Sequence, residues 1–544
     1  MRVTFIALSI LISMSLNSEG FSFRPQQEQT QLRHEVTVTL KLIQVYVTDK
    51  KGNPVLDLTK DDFLVFDKGQ KQTLTEFERH VISLPSPKEM AQPKIISVPA
   101  PPARNLLPRK FFLLFDFAFN NGIGLEKARK AALHFIDTQL QPQDEISVLS
   151  YSAMKSLTLH ENLTADHEAV RQAVKRIGIE RIAGRAENFE EEYWQAEAGV
   201  NPVDASKSGF VGEDPNAPRW LRQQRKESMI HAQNFANKML DLAKALRYVP
   251  GHKCILLLSS GVPYSLVYGI QSPYGNIGAG SFGDFLLQQR FENMLKELSA
   301  ANCPIYALDT QELASMIGSD MRMQGAFTLQ KMAGATGGKY FGNINSYEKH
   351  LERIQNLTGC YYVLGYYIDE NWDGKYHKIK VQVNRPSCKV HAQKGYFNPK
   401  PFAEYNELEK MLHLVDLALN EEPLFQMPVR FPLEVVPCEP SGKGNLCLAA
   451  EIPLEEIRDV LSEKSEFVIV IFDEKGNIVA FKRKERESST LIGRAFSFGA
   501  AFSLPPGAYK CRLVIRNLKT GRAAVASTDA IIPDEEAKNE RDSD

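Results

Sequence analysis

Between residues 110 and 356 short apolar runs alternate with segments of helical periodicity, and this alternation leaves few folds open. Residues 111–115 are apolar without interruption, too short for a helix and apolar on both faces, as a strand covered on both sides must be. The run ends in Asp116 and a short loop, after which Leu125, Ala128, Ala132, Phe135 and Ile136 recur at helical spacing. Further strands are expected at 146–151, 157–160, 254–258, 305–308 and 339–341, with helices at 166–177, 221–248, 284–300, 327–333 and 347–356. Strands alternating with helices along most of this region predict an α/β fold, a doubly wound and mostly parallel sheet. Residues 181–216 interrupt it as a charged insertion containing Trp194.

The flanks read differently. Val36, Val38 and Leu40 alternate with polar residues and Ile43, Val45 and Val47 continue on the opposite parity, which predicts a strand with a bulge near Leu42. Thr59 and Asp62 form a capping-box pattern, and strands follow at 64–66 and 71–77. These make an N-terminal β module (34–82), followed by a proline-rich linker (83–108). After the α/β region (109–400), which ends in a hairpin of 360–368 with 375–383, a helical connector spans 401–420. Residues 425–534 read as an antiparallel β-sandwich: Tyr509, Cys511, Leu513 and Ile515 take one strand face, and Lys510, Arg512 and Arg516 the other. The last residues, 535–544, are a charged tail.

Composition excludes several functions. With 65 Lys+Arg against 66 Asp+Glu there is no basic footprint for nucleic acid, and 43% apolar residues exclude a disordered polymer. Residues 1–20 have the pattern of a signal peptide: Arg2, an apolar run to about Leu16, then small and polar residues. The expected location is therefore periplasmic or extracellular, with no transmembrane anchor in the mature chain. Of seven cysteines, Cys438 and Cys447 flank a turn and could pair, Cys360 and Cys388 bracket an apparent hairpin and could pair as well, and Cys254 and Cys303 read as buried thiols.

Several separated motifs resemble a known family. The segment 45–66 (VYVTDKKGNPVLDLTKDDFLVF), the segment 333–341 (AGATGGKYF), and the segments 361–366 (YYVLGY), 378–386 (KIKVQVNRP) and 394–396 (KGY) occur in the order found in bacterial exported proteins with a von Willebrand factor type A-related domain. The resemblance covers about residues 35 to 400 and implies a von Willebrand A-like sheet between the β module and the sandwich. Many such domains hold Mg²⁺ at the C-terminal end of the sheet, through Asp-x-Ser-x-Ser and further loops. Here the first loop reads Asp116-Phe-Ala-Phe-Asn120, and Ser260 stands where an Asp is expected, so Asp116, Asn120 and Ser260 form a degenerate set with one carboxylate.

Enzyme signatures are weak. Gly278-Ala-Gly-Ser-Phe-Gly283 matches a dinucleotide fingerprint but stands far from the preceding strand, and the sequence has no HxxxH pair and no GxSxG elbow. The expectation is an exported, non-enzymatic protein-binding or scaffolding protein without a cofactor. It would meet an unidentified envelope or extracellular protein at a loop rim that includes Phe117, Phe119, Asn121 and Tyr264. The alternatives are Mg²⁺-dependent adhesion through Asp116 and a hydrolase with an unrecognised site.

Overall fold

The structure, a computed structural model, describes residues 38–81, 108–120, 122–177, 219–269, 284–310, 324–369, 373–420, 423, 428–438, 445–461, 463–474, 476–487 and 495–533. The expected signal peptide, nearly all of the linker, the insertion 181–216, the segment 278–283, Asn121 and the tail lie outside the described residues. The chain divides into two compact units, 36–398 and 399–544.

The first unit opens with β1 (Val38–Thr48), β2 (Phe63–Asp67), β3 (Gln70–Gln72) and β4 (Glu76–Val81). Its α/β body follows as β5 (Lys110–Asp116), α1 (Gly122–Thr138), β6 (Glu145–Ser152), β7 (Ser156–Thr164), α2 (His167–Arg176), α3 (Arg219–Arg247), β8 (Lys253–Ser259), α4 (Tyr264–Tyr268), α5 (Phe285–Ala300), β9 (Ile305–Asp309), α6 (Gln324–Thr336), β10 (Lys339–Phe341) and α7 (Tyr347–Thr358). Four strands close it: β11 (Cys360–Asp369), β12 (Tyr376–Val383), β13 (Lys389–Ala392) and β14 (Gly395–Phe397).

The body is a mixed six-stranded sheet in the order β10-β9-β8-β5-β6-β7. Neighbouring strands are parallel except β7, which runs antiparallel to β6 at the edge. Only three residues separate β6 from β7, too few for a crossover helix, so the chain must turn back. All seven residues of β5 are buried. Phe111, Leu113 and Phe115 pack with Ala128, Ala132 and Phe135 of α1, Val170 and Val174 of α2 and Leu351 and Ile354 of α7. Phe112 and Leu114 point the other way and are equally buried; on that side Phe235 of α3 meets Tyr151 of β6 edge-on.

The flanking strands do not form a separate N-terminal module. They interleave with the strands after residue 359 into two four-stranded sheets, β13-β1-β11-β4 and β14-β12-β2-β3, over a common core that includes Ile43, Val45, Phe63, Val65, Tyr362, Leu364, Ile379 and Tyr396. The expected hairpin of β11 with β12 is also absent. Leu364 pairs with Ile43 on one side and Phe77 on the other, so both edges of β11 are taken and β12 joins the second sheet against β2. No bulge occurs near Leu42: β1 pairs residue for residue with β11 from Val38 to Val45. The parity switch has another cause, because Leu40 and Leu42 face outward at 36% and 47% exposure while Ile43, Val45 and Val47 enter the core. Thr59 does close the short 3-10 turn Lys60–Asp62, its N–H donating to Asp62 at 2.8 Å.

The second unit begins with α8 (Glu407–Leu419), where Asn406 and Glu409 each accept the other's backbone N–H at 2.9 Å. It continues as β15 (Val429–Arg430), β16 (Glu434–Val436), β17 (Leu446–Pro453), α9 (Leu454–Leu461), β18 (Lys464–Asp473), β19 (Ile478–Glu487), β20 (Ala495–Phe502), β21 (Gly507–Asn517) and β22 (Ala523–Ile532). Two sheets, β15-β22-β21-β18-β19 and β16-β17-β20, enclose one core with Leu448, Ile452, Ile469, Leu513 and Ile515. The strand expected over 429–436 breaks at Pro432, which cannot donate to a ladder, and its halves join different sheets. A third layer covers the larger sheet: Leu414 and Leu417 of α8 pack on Val468, Val470 and Val514. Cys438 and Cys447 are bridged; Cys254, Cys303, Cys360, Cys388 and Cys511 are free, so the Cys360 to Cys388 bridge does not form.

Candidate functional site

The residues singled out at the C-terminal ends of the parallel strands do meet, and they lock one another. Asp116 ends β5 fully buried, and its Oδ1 accepts the backbone N–H groups of Ala118 at 2.9 Å and Phe119 at 3.1 Å. This curls the loop back over the strand end. Oδ2 accepts the Ser259 hydroxyl at 2.5 Å, and Ser259 Oγ in turn accepts the N–H of Gly261 at 2.8 Å. One step outward, Ser260 Oγ donates to Asn120 Oδ1 at 2.9 Å, the Thr310 hydroxyl reaches the same oxygen, and Asn120 Nδ2 donates to the Leu258 carbonyl at 3.0 Å. Thr310 was not foreseen; its signal was its place just past β9, the strand beside β8.

These residues do not fit Mg²⁺. A hard dication needs several oxygen lone pairs aimed at one point. Here both oxygens of the one carboxylate receive hydrogens from three protein donors, and the Asn120 oxygen faces two hydroxyls. Among the described residues, no group of three His, Cys, Asp or Glu side chains is arranged to hold a metal ion. Asp116 braces the strand ends of β5 and β8.

Glycine completes the floor. Gly325, in the first turn of α6, lies so close to the loop after β8 that a Cβ on it would stand 1.9 Å from the Ser260 carbonyl oxygen, and one on Gly261 would stand 2.2 Å from the Gly325 oxygen. Gly261 also has φ +82°, open to glycine at no cost. Thr328 of α6 donates to the Val262 carbonyl at 2.8 Å, so the helix start is pinned to the loop.

The expected rim residues divide. Phe119 is 5% exposed and packs edge-on against Phe235, so it belongs to the interior and is removed from the rim. Phe117 is half-buried against the sheet core. Tyr264 is half-buried, stacked on Tyr268 at 4.7 Å and 5.7 Å from Phe327. Four apolar residues that the sequence reading passed over are exposed instead: Ile123 at 56%, Phe285 at 79%, Leu286 at 48% and Phe327 at 47%. They stand at the starts of α1, α5 and α6. Ile123 could have been noticed, because it precedes the apolar stripe of its helix out of phase. Tyr268 donates to Glu292 at 2.6 Å, and burial, then that carboxylate, push its phenol above the usual range.

No family model matches the chain, and no curated protein matches it. Among solved structures, an aerotolerance-related membrane protein from Bacteroides fragilis aligns at 11% identity over 46% of this chain and 98% of its own, with a TM-score of 0.24. The conserved hypothetical protein BatB from Bacteroides thetaiotaomicron aligns at 11% identity over 46% and 98%, with a TM-score of 0.22. Three N-terminal domains of the type V pili tip protein Mfa5 from Porphyromonas gingivalis align at 8% identity over 92% and 100%, also at 0.22. Scores this low establish no shared fold. Among the described residues, no helix is long and apolar enough to cross a membrane.

Proposed function

We propose that the chain is an exported, non-enzymatic binding or scaffolding protein whose partner is a protein, held at the loop rim of a von Willebrand A-like domain. What supports the domain reading is the strand order, in which five parallel strands and one antiparallel edge strand carry buried residues on both faces of β5. The observation that carries the functional reading is that apolar side chains are exposed at three helix starts that follow the C-terminal ends of β5, β8 and β9, Ile123, Phe285, Leu286 and Phe327, while at those strand ends Asp116, Ser259, Ser260, Asn120 and Thr310 are already hydrogen-bonded to one another. A rigid polar floor with exposed apolar groups around it suits capture of an apolar protein surface. Export rests on the signal-peptide pattern of residues 1–20.

Photo-crosslinking residues placed singly at Ile123, Phe285 and Phe327 are expected to trap one common envelope protein, whereas the same residue at Ile531, 80% exposed on the second unit, does not trap it. Phe327→Asp is expected to abolish the crosslink made from Phe285. Different products from the three positions, or the same product from Ile531, would refute the placement.

A further inference from the structure

The sandwich of the second unit is open along one side. Among the described residues β19 pairs only with β18 and β20 only with β17, so each strand has an edge that no other strand covers. An uncovered edge is a template for any strand that meets it, and proteins guard such edges, often with charged side chains that point inward. The Phe502 carbonyl accepts the Asn445 N–H at 2.9 Å on the β17 side, so the Ala501 carbonyl before it faces the uncovered edge.

The guards here are all of one sign. Residues directly opposite in a ladder share a face. Lys482 lies opposite Ile469 and Lys484 opposite Phe467, so both lysines project on the core side of β19. Lys482 stands 4.4 Å over the Phe502 ring and donates to the Ala501 carbonyl, which ties one edge to the other. Arg486 stands 5.8 Å over Phe467. Beside them lies aromatic surface that is only half covered: Phe496 and Phe498 of β20 meet Phe467 at 5.4 Å and 5.9 Å and keep part of their rings in solvent. Among the described residues no carboxylate lies within 4.0 Å of Lys482, Lys484 or Arg486; Glu485 and Glu487 project on the other face of β19, where Glu485 pairs with Lys464 at 2.7 Å and Arg483 at 3.3 Å.

We infer that this open side is a docking site for an extended acidic segment of a partner protein, which adds to the edge of β20 as the next strand of its sheet. In this mode of recognition main-chain hydrogen bonds supply the affinity, and β20 offers eight residues of edge. Side chains of the added strand alternate, so glutamates at every second position turn inward, lay their stems beside Phe496 and Phe498 and bring their carboxylates to Lys484 and Arg486. A neutral or basic strand would shut three cations against apolar surface with no counter-charge. The side chains that guard the edge therefore also select what pairs with it. The site lies on the second unit and does not depend on the rim of the first.

The test uses the full chain and a fluorescent peptide of alternating glutamate and threonine, with binding read by fluorescence polarisation. Saturable binding is expected, weakened about tenfold or more between about 50 and 500 mM NaCl. A photo-reactive group at the centre of the peptide is expected to crosslink to residues 482–487 or 495–502. The double variant Lys484→Glu, Arg486→Glu lowers the affinity about tenfold or more. Its melting curve shows whether it folds; if it does not, Lys484→Gln with Arg486→Gln carries the same expectation. Absence of saturable binding overturns the inference, as do equal binding of a lysine and threonine peptide, crosslinks elsewhere, and affinity unchanged in both variants. Binding seen only after residues 535–544 are deleted would make the chain's own acidic tail the occupant, and self-association of the chain that the acidic peptide does not disrupt would make it a second copy; either result overturns the inference.

Discussion

The hydroxyl of Ser260 donates to the side-chain oxygen of Asn120 at 2.9 Å, joining the loops after β8 and β5 across 140 positions of chain. Asn120→Ala removes the acceptor of two hydroxyls, those of Ser260 and Thr310, and a donor to Leu258, all buried. The expected cost is about 3 kcal/mol, read from urea denaturation, with Ser260→Ala nearer 1 kcal/mol because Thr310 still serves the same oxygen. Equal losses would mean that Thr310 does not share the bond.

Gly325 tolerates no side chain. A Cβ there would lie 1.9 Å from backbone, which cannot swing aside as a flexible side chain can. Gly325→Ala should cost about 3 kcal/mol or more and raise hydrogen exchange at residues 259–262 and at the start of α6. Gly334→Ala, on the same helix with open space around it, is the control and should leave stability unchanged or slightly raised.

Stability should fall in acid through two histidines. Burial, then the positive charge of Arg109, holds His252 down at about 3, and burial, then Arg516, holds His413 down at about 3. Folded chains keep both rings neutral while unfolded chains protonate them below about 6.5, so the unfolded state binds more protons. Their contribution is fully present above pH 6.5 and is lost as pH falls from there toward 3. Each histidine raises the unfolding equilibrium constant about tenfold per pH unit across that window. His252→Phe should remove one proton from the measured slope, whatever it does to stability at pH 8.

The bridge between Cys438 and Cys447 closes a short loop between β16 and β17. In the chain-entropy account a loop of this size is worth about 2–3 kcal/mol. Replacing both cysteines by serine should lower the stability of the second unit by that amount, seen as faster hydrogen exchange in β17 and β20. The exchange of β5 and β8, in the first unit, should not change.

Much of the α/β body was legible because its signals are local. An apolar run such as Phe111 to Phe115 can be satisfied only by a strand covered on both sides, and the stripe from Leu125 to Ile136 only by a helix. The capping pair Thr59 and Asp62 and the Cys438 to Cys447 bridge are equally local, set by spacings of a few residues. Partner choice among antiparallel strands is not local. Residues 360–369 read as half of a hairpin, but nothing in that stretch records that β1 and β4, some 300 residues earlier, occupy both of its edges.

The same division holds at the site. The resemblance to von Willebrand A-related proteins marked Asp116, Asn120 and Ser260 as a set, and their residue types showed that it holds one carboxylate. Tertiary structure decided what the set does: it turned three donors onto that carboxylate, brought in Thr310, buried Phe119 and left Phe285 and Phe327 in solvent. The reason is physical. Residue type fixes which bonds a side chain can make, whereas its partner and its exposure depend on which distant strand ends and helix starts the sheet order brings together.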